Sequence, residues 1–161
     1  MDALKFAIEM ELDGEKYYME QAEINKDNSL NIVCLMLAGD ERNHARILKD
    51  KASGMLYTLK DSDTLMKSKN IFKDIGDIKV EFKQIPSQLD FYRIASDKEK
   101  QSIELYEGLL SKAVNNHEKE LYEYLIEQEK QHYEVLENLA ALLRHADEWI
   151  ESPEFGLRKD Y

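Results

Sequence analysis

The feature that most constrains this chain is a pattern it carries twice. Glu11, Tyr18, Glu41 and His44 recur as Glu99, Tyr106, Glu129 and His132, all at one offset of 88 residues. In each copy a tyrosine follows the first glutamate by seven residues, and a Glu-x-x-His begins 30 residues after that glutamate. Residues three, four or seven apart share one face of an α-helix. Each copy therefore reads as a helical hairpin, with Glu and Tyr on one helix and Glu and His on the other.

The apolar periodicity around these residues has the same meaning. Asp2 is placed to cap a first helix running to about Asn25, with the inner stripe Leu4, Ala7, Glu11, Gly14, Tyr18 and Ala22. The polar turn Asn25–Ser29 is short enough to make the second helix an antiparallel neighbour. That helix runs from about Leu30 into the high fifties, with Gly54 fraying or bending its last turns. Its stripe is Cys34, Leu37, Glu41, His44 and Leu48. Pro86–Asp90 opens a third helix, with Ser87 and Asp90 as a capping box. Its stripe is Tyr92, Ala95, Glu99, Ser102, Tyr106 and Leu109, and it ends near Ala113. The fourth helix spans about Glu118 to His145, with Tyr122, Leu125, Glu129, His132 and Leu136 inward.

Between about Lys60 and Pro86 the periodicity weakens. A structureless loop of that length is unusual. The expectation is a crossover with one short helix near Asp63–Lys73, its apolar residues lying on the outside of the bundle. The alternative is a hinge that exchanges half-bundles between two chains. The predicted fold is thus all-α: an up-down four-helix bundle built from a duplicated hairpin, with a long crossover between helices two and three. Residues 1–146 form the bundle. Residues 147–161 form a tail whose Trp149, Ile150, Phe155 and Leu157 are expected to pack on it or on a second subunit.

Composition narrows the function. The formal charge is −11 without any sustained basic run, which disfavours nucleic acid and anionic membranes as partners. No apolar run approaches the roughly 20 residues of a membrane span. The N-terminus lacks the basic flank and apolar block of a secretion signal, so a cytoplasmic location is expected. Cys34 is the only cysteine, which leaves no intramolecular disulfide and suits a packed thiol. His117 and His145 lack the repeated spacing and are expected to be surface or capping residues.

Four helices each send one carboxylate inward, and two of them also send an imidazole. Four carboxylates gathered in low dielectric repel one another and are poorly solvated. Two divalent cations remove that cost. A set of Glu11, Glu41, His44, Glu99, Glu129 and His132 offers oxygen ligands and one imidazole per metal, which suits iron or manganese better than a thiolate-preferring ion. Tyr18 and Tyr106 are expected to pack beside the centre and donate hydroxyls to ligand carboxylates. Tyr122 and Tyr133 are expected in the core.

At these residues the chain resembles the rubrerythrin branch of the ferritin-like superfamily. The signatures are Glu11-x6-Tyr18, Glu41-x2-His44, Glu99-x6-Tyr106 and Glu129-x2-His132, and they span residues 1–145. The resemblance implies a carboxylate-bridged di-iron centre. Glu41 and Glu129 would be the bridges, Glu11 and Glu99 terminal ligands on different irons, and His44 and His132 would complete the set. Manganese or zinc are the substitutes to consider. The implied activity is reduction of hydrogen peroxide, with peroxide or dioxygen as the oxidant that enters. Full-length rubrerythrins carry a rubredoxin-like module with two CxxC pairs, absent here, so electrons are expected from an external rubredoxin-like protein or flavoprotein. A further rubrerythrin glutamate, one turn after the third-helix ligand, is Ser102 in this chain and Gly14 in the first half. That brings the ligand set close to bacterioferritin-type centres and makes an iron-handling ferroxidase the alternative function. A homo-oligomer, with a dimer favoured, is the expected assembly.

Overall fold

The computed structural model describes residues 2–151, with side chains as far as residue 145. Among the described residues the secondary structure is entirely helical. Four long helices form the bundle: α1 (Ala3–Ile24), α2 (Leu30–Ala52), α5 (Ile85–Ser111) and α6 (Asn116–Glu151). Two short ones, α3 (Thr64–Lys73) and α4 (Ile78–Glu81), lie in the crossover. The hairpins are α1 with α2 and α5 with α6, and α1 and α5 meet across the bundle. No helix among the described residues is long and apolar enough to cross a membrane.

Local chemistry accounts for most helix ends. Asp2 caps α1, its Oδ1 accepting from the Lys5 amide at 2.8 Å. At the first turn Asn28, not Ser29, supplies the side-chain acceptor, with Leu30 N donating to its Oδ1 at 2.9 Å. The Ser29 hydroxyl instead donates to Glu81 of α4 at 2.8 Å. Helix α2 stops at Ala52, short of the expected high fifties. Gly54 adopts φ 70°, and Met55 N closes back on the Asp50 carbonyl at 2.8 Å. That left-handed glycine ends the helix rather than bending it. At α5 the expected capping box is absent. The helix begins at Ile85 with Pro86 in its first turn, which leaves Ser87 and Asp90 inside the helix, and Asp90 pairs with Arg93. Helix α6 continues past His145 to Glu151, through the start of the segment read as a tail. The packing expected of Trp149, Ile150, Phe155 and Leu157 lies outside the described side chains.

The crossover returns the chain to its own bundle. α3 packs mainly on α6 and touches α2, while α4 touches α6. Phe72 and Phe82 are buried there. At the start of α5, Gln88 Nε2 donates to Asn25 Oδ1 at 2.6 Å, which places that end beside the α1–α2 turn. Each hairpin is therefore up-down, and α5 runs parallel to α2, as one long crossover requires.

The core has two apolar regions. One contains Leu37, Phe91, Leu136 and Leu139, towards the α1–α2 turn. The other contains Ala7, Leu48, Leu121 and Leu125, at the opposite end. On every long helix the polar site residues fall between these two regions. Cys34 packs in the first, where burial pushes its thiol up to about 12. Tyr122 packs in the second.

Candidate metal centre

The helical stripes converge at mid-height. Glu11 from α1, Glu41 and His44 from α2, Glu99 from α5, and Glu129 and His132 from α6 are each no more than 3 % exposed. They form two overlapping groups: Glu11, Glu41, His44 and Glu129, and Glu41, Glu99, Glu129 and His132. In each group one potential ligand atom per residue lies within 4.8 Å of the others. Glu41 and Glu129 belong to both groups, the position a bridging carboxylate needs. Glu11 and Glu99 belong to one each.

Both imidazoles turn Nδ1 towards the carboxylates. His44 Nδ1 is 3.5 Å from Glu11 Oε1 and 3.5 Å from Glu129 Oε1. His132 Nδ1 is 2.8 Å from Glu41 Oε1 and 3.0 Å from Glu99 Oε2. The two rings stack at 5.9 Å between centroids. The tyrosines cross between the halves. Tyr18 donates to Glu99 Oε2 at 2.7 Å, and Tyr106 donates to Glu11 Oε2. Burial and the nearby glutamates hold both phenols far above their ordinary value, so each remains a proton-bearing donor.

The donor set fits a pair of cations. Among the described residues, eight buried side-chain polar atoms lack a hydrogen-bond partner, and five of them are Glu11 Oε1, Glu41 Oε1, His44 Nδ1 and both oxygens of Glu129. The hydrogen bond of His132 Nδ1 goes to Glu99 Oε2, and its close approach to Glu41 Oε1 is a charge contact only. Unsatisfied buried groups are rare because each costs about 1–3 kcal/mol, more when charged. Their concentration at one point marks atoms arranged to face something other than protein. Two of the four carboxyls are also disposed to hold protons when no cation is bound. Burial, and then the other glutamates, raise the carboxyls of Glu41 and Glu129 well above the usual range. Burial alone would lower the His132 imidazolium, but Glu99, Asp40 and Glu129 override it and raise it well above the ordinary value.

A second layer was not anticipated from sequence. His132 Nε2 faces Asp40 Oδ2 at 2.9 Å, and His44 Nε2 faces Gln128 Oε1 at 3.4 Å. Asp40 Oδ2 also accepts from Ser62 at 2.9 Å and Thr64 at 2.7 Å, tying the crossover to the centre. The signal was present: Asp40 and Gln128 each precede the glutamate of a Glu-x-x-His and obey the same 88-residue offset.

One side of the centre is open. A cavity of about 360 Å³ between α1 and α5 is lined at its base by Gly14, Tyr18, Glu41, Glu99 and Ser102, with Phe6 and Lys98 among its outer residues. A Cβ added at Gly14 would lie 3.0 Å from Glu41 Oε2. The Ser102 hydroxyl is turned to the Lys98 carbonyl at 3.1 Å and to Met10 Sδ at 3.6 Å, away from ligand duty. His117 and His145 are exposed, distant in role from the centre.

Compared with known proteins, residues 2–140 match a family model described as Rubrerythrin. Neither a curated protein nor a solved structure matches the chain.

Proposed function

The chain belongs to the rubrerythrin family, whose members are di-iron carboxylate proteins, and from that premise we propose that it is a peroxide-reducing oxidoreductase. Its metal ligands in this reading are Glu11, Glu41, His44, Glu99, Glu129 and His132. The observation that carries the reading is the pair of overlapping buried ligand groups sharing Glu41 and Glu129. Two Fe(II) ions held there would supply the two electrons that, with two protons from solvent, convert one hydrogen peroxide to two waters.

The protein's own groups have separate tasks. Glu41 and Glu129, common to both groups, would hold the two cations together, and one Nδ1, from His44 or from His132, would complete each position. Tyr18 and Tyr106 keep the terminal carboxylates Glu99 and Glu11 turned inward through hydroxyls that retain their protons. The apolar layers above and below keep bulk water out along the bundle axis. The cavity between α1 and α5 offers a lateral approach on the Glu41–Glu99 edge, with a volume of about 360 Å³ that exceeds what peroxide needs. In this reading electrons reach the centre from a redox group of the rubredoxin-like or flavin class, since the one cysteine of these residues is buried and cannot hold a thiolate iron centre.

One observation favours a second reading, a ferroxidase that handles iron. Ser102 stands where the family places a further glutamate, and its hydroxyl is engaged elsewhere. Anaerobic loading with Fe(II), followed by rapid mixing with peroxide or dioxygen under optical monitoring, separates the two. The peroxidase reading requires oxidation by peroxide to be much faster than by dioxygen, with sustained turnover when a reductase system is supplied. Comparable rates with no turnover would replace it with the ferroxidase.

A further inference from the structure

The two halves of the centre match almost group for group. Each has a terminal glutamate, a crossing tyrosine hydroxyl on that glutamate and an inward Nδ1, and the two halves share Glu41 and Glu129. They differ behind the imidazoles. The outward Nε2 of His132 meets the carboxylate of Asp40 at 2.9 Å, whereas that of His44 meets the amide oxygen of Gln128 at 3.4 Å. These partners occupy equivalent positions, 88 residues apart, each on the helix opposite to the histidine it serves.

We propose that Asp40 and Gln128 make the two cation positions unequal, so that the position served by His132 holds a divalent cation more tightly than the one served by His44. This rests on the di-metal reading given above. A carboxylate that accepts from Nε2–H leaves Nδ1 richer in electron density and a better metal donor, and it fixes the tautomer with Nδ1 free. A neutral amide at a longer distance does both less well. The carboxylate also adds a negative charge near the cation, which the amide does not. Three donors converge on Asp40 Oδ2, from His132, Ser62 and Thr64, and this keeps the carboxylate in place. Neither residue touches the cation. Both are positioning residues that act through an imidazole.

The test is calorimetric titration of the metal-free full chain with Co(II), followed in parallel by Co(II) absorption. The expected result is two steps of one cation each. Asp40→Asn keeps an acceptor for Nε2–H and for the hydroxyls but removes the charge. It should weaken the tighter step by about 10- to 100-fold and leave the other within about threefold. Gln128→Glu should strengthen the weaker step by about tenfold or more and narrow the gap. That gain could not come from damage to the fold. Equal loosening of both steps by Asp40→Asn, or no gain from Gln128→Glu, would overturn the inequality while leaving a two-metal centre. Absence of Co(II) binding to the parent protein would overturn the metal reading itself.

Discussion

Tyr18 on α1 donates its hydroxyl to Glu99 Oε2 on α5 at 2.7 Å, across 81 residues of sequence. The repeat places this tyrosine beside Glu11 on its own helix, yet it serves the glutamate of the other half. Tyr106 does the same for Glu11. The terminal carboxylates are thus oriented from across the bundle, and neither hairpin could build its half of the centre alone.

Replacing Tyr18 by Phe leaves the ring packed and removes only the donor. Among the described residues, Glu99 Oε2 then keeps His132 Nδ1 as its hydrogen-bond partner, at 3.0 Å. The expected loss is about 1–3 kcal/mol of metal-free stability and about tenfold in metal affinity. Chemical denaturation and a competitive metal titration would measure the two. Unchanged affinity would show that Glu99 needs no help from α1.

Glu41→Gln separates the metal role from the packing role. In the metal-free protein it removes an acid that burial already penalises, so stability should stay level or rise by about 1 kcal/mol. Loading should fall from two cations to one or none, because the amide is a poor bridge. Thermal melts with and without metal, beside stoichiometry by elemental analysis, would check both. A destabilised metal-free form with intact loading would contradict the assignment.

Gly14→Ala probes the space beside Glu41. Alanine is favoured over glycine within a helix by about 1 kcal/mol. Its Cβ, however, would come within 3.0 Å of Glu41 Oε2. Without metal that carboxylate can give way into the adjoining cavity, and the metal-free form should be as stable as the parent or slightly more so. With cations holding Glu41, affinity should drop by about tenfold, equivalent to about 1.4 kcal/mol. An equal stability gain in both forms would place Gly14 outside the centre's constraints.

Acidity should act in opposite directions on the two forms. Glu41 and Glu129 have folded-state values raised well above 4.5, and His132 well above 6.5. Each therefore keeps a proton in the folded state that the unfolded chain has released. The associated stability is complete below the ordinary value and is lost as pH rises through the folded one. Metal-free protein should melt at progressively lower temperature from about pH 5 to pH 8, at up to about 1.4 kcal/mol per pH unit for each such proton. Cations displace these protons, so affinity should rise with pH and the loaded form should hold or gain stability over the same range. Calorimetric melts at several pH values would show whether the slopes diverge.

The sequence by itself determined the helices and the six residues that meet between them. Periods of three, four and seven are local properties of a helix, so Glu11, Tyr18, Glu41 and His44 declare a shared face without any knowledge of the fold. The 88-residue repeat then announced that two such faces exist. Helix ends were less legible where several local signals compete: Gly54 could bend or stop α2, and Pro86 overrode the Ser87–Asp90 cap. Only the tertiary structure decided who pairs with whom. That Tyr18 holds Glu99, that Asp40 holds His132 rather than its own helix neighbour His44, and that Gly14 leaves room for Glu41 all depend on how the hairpins are rotated and stacked. Helical periodicity fixes which residues share a face, but the rotation of one helix against another comes from packing summed over the whole core.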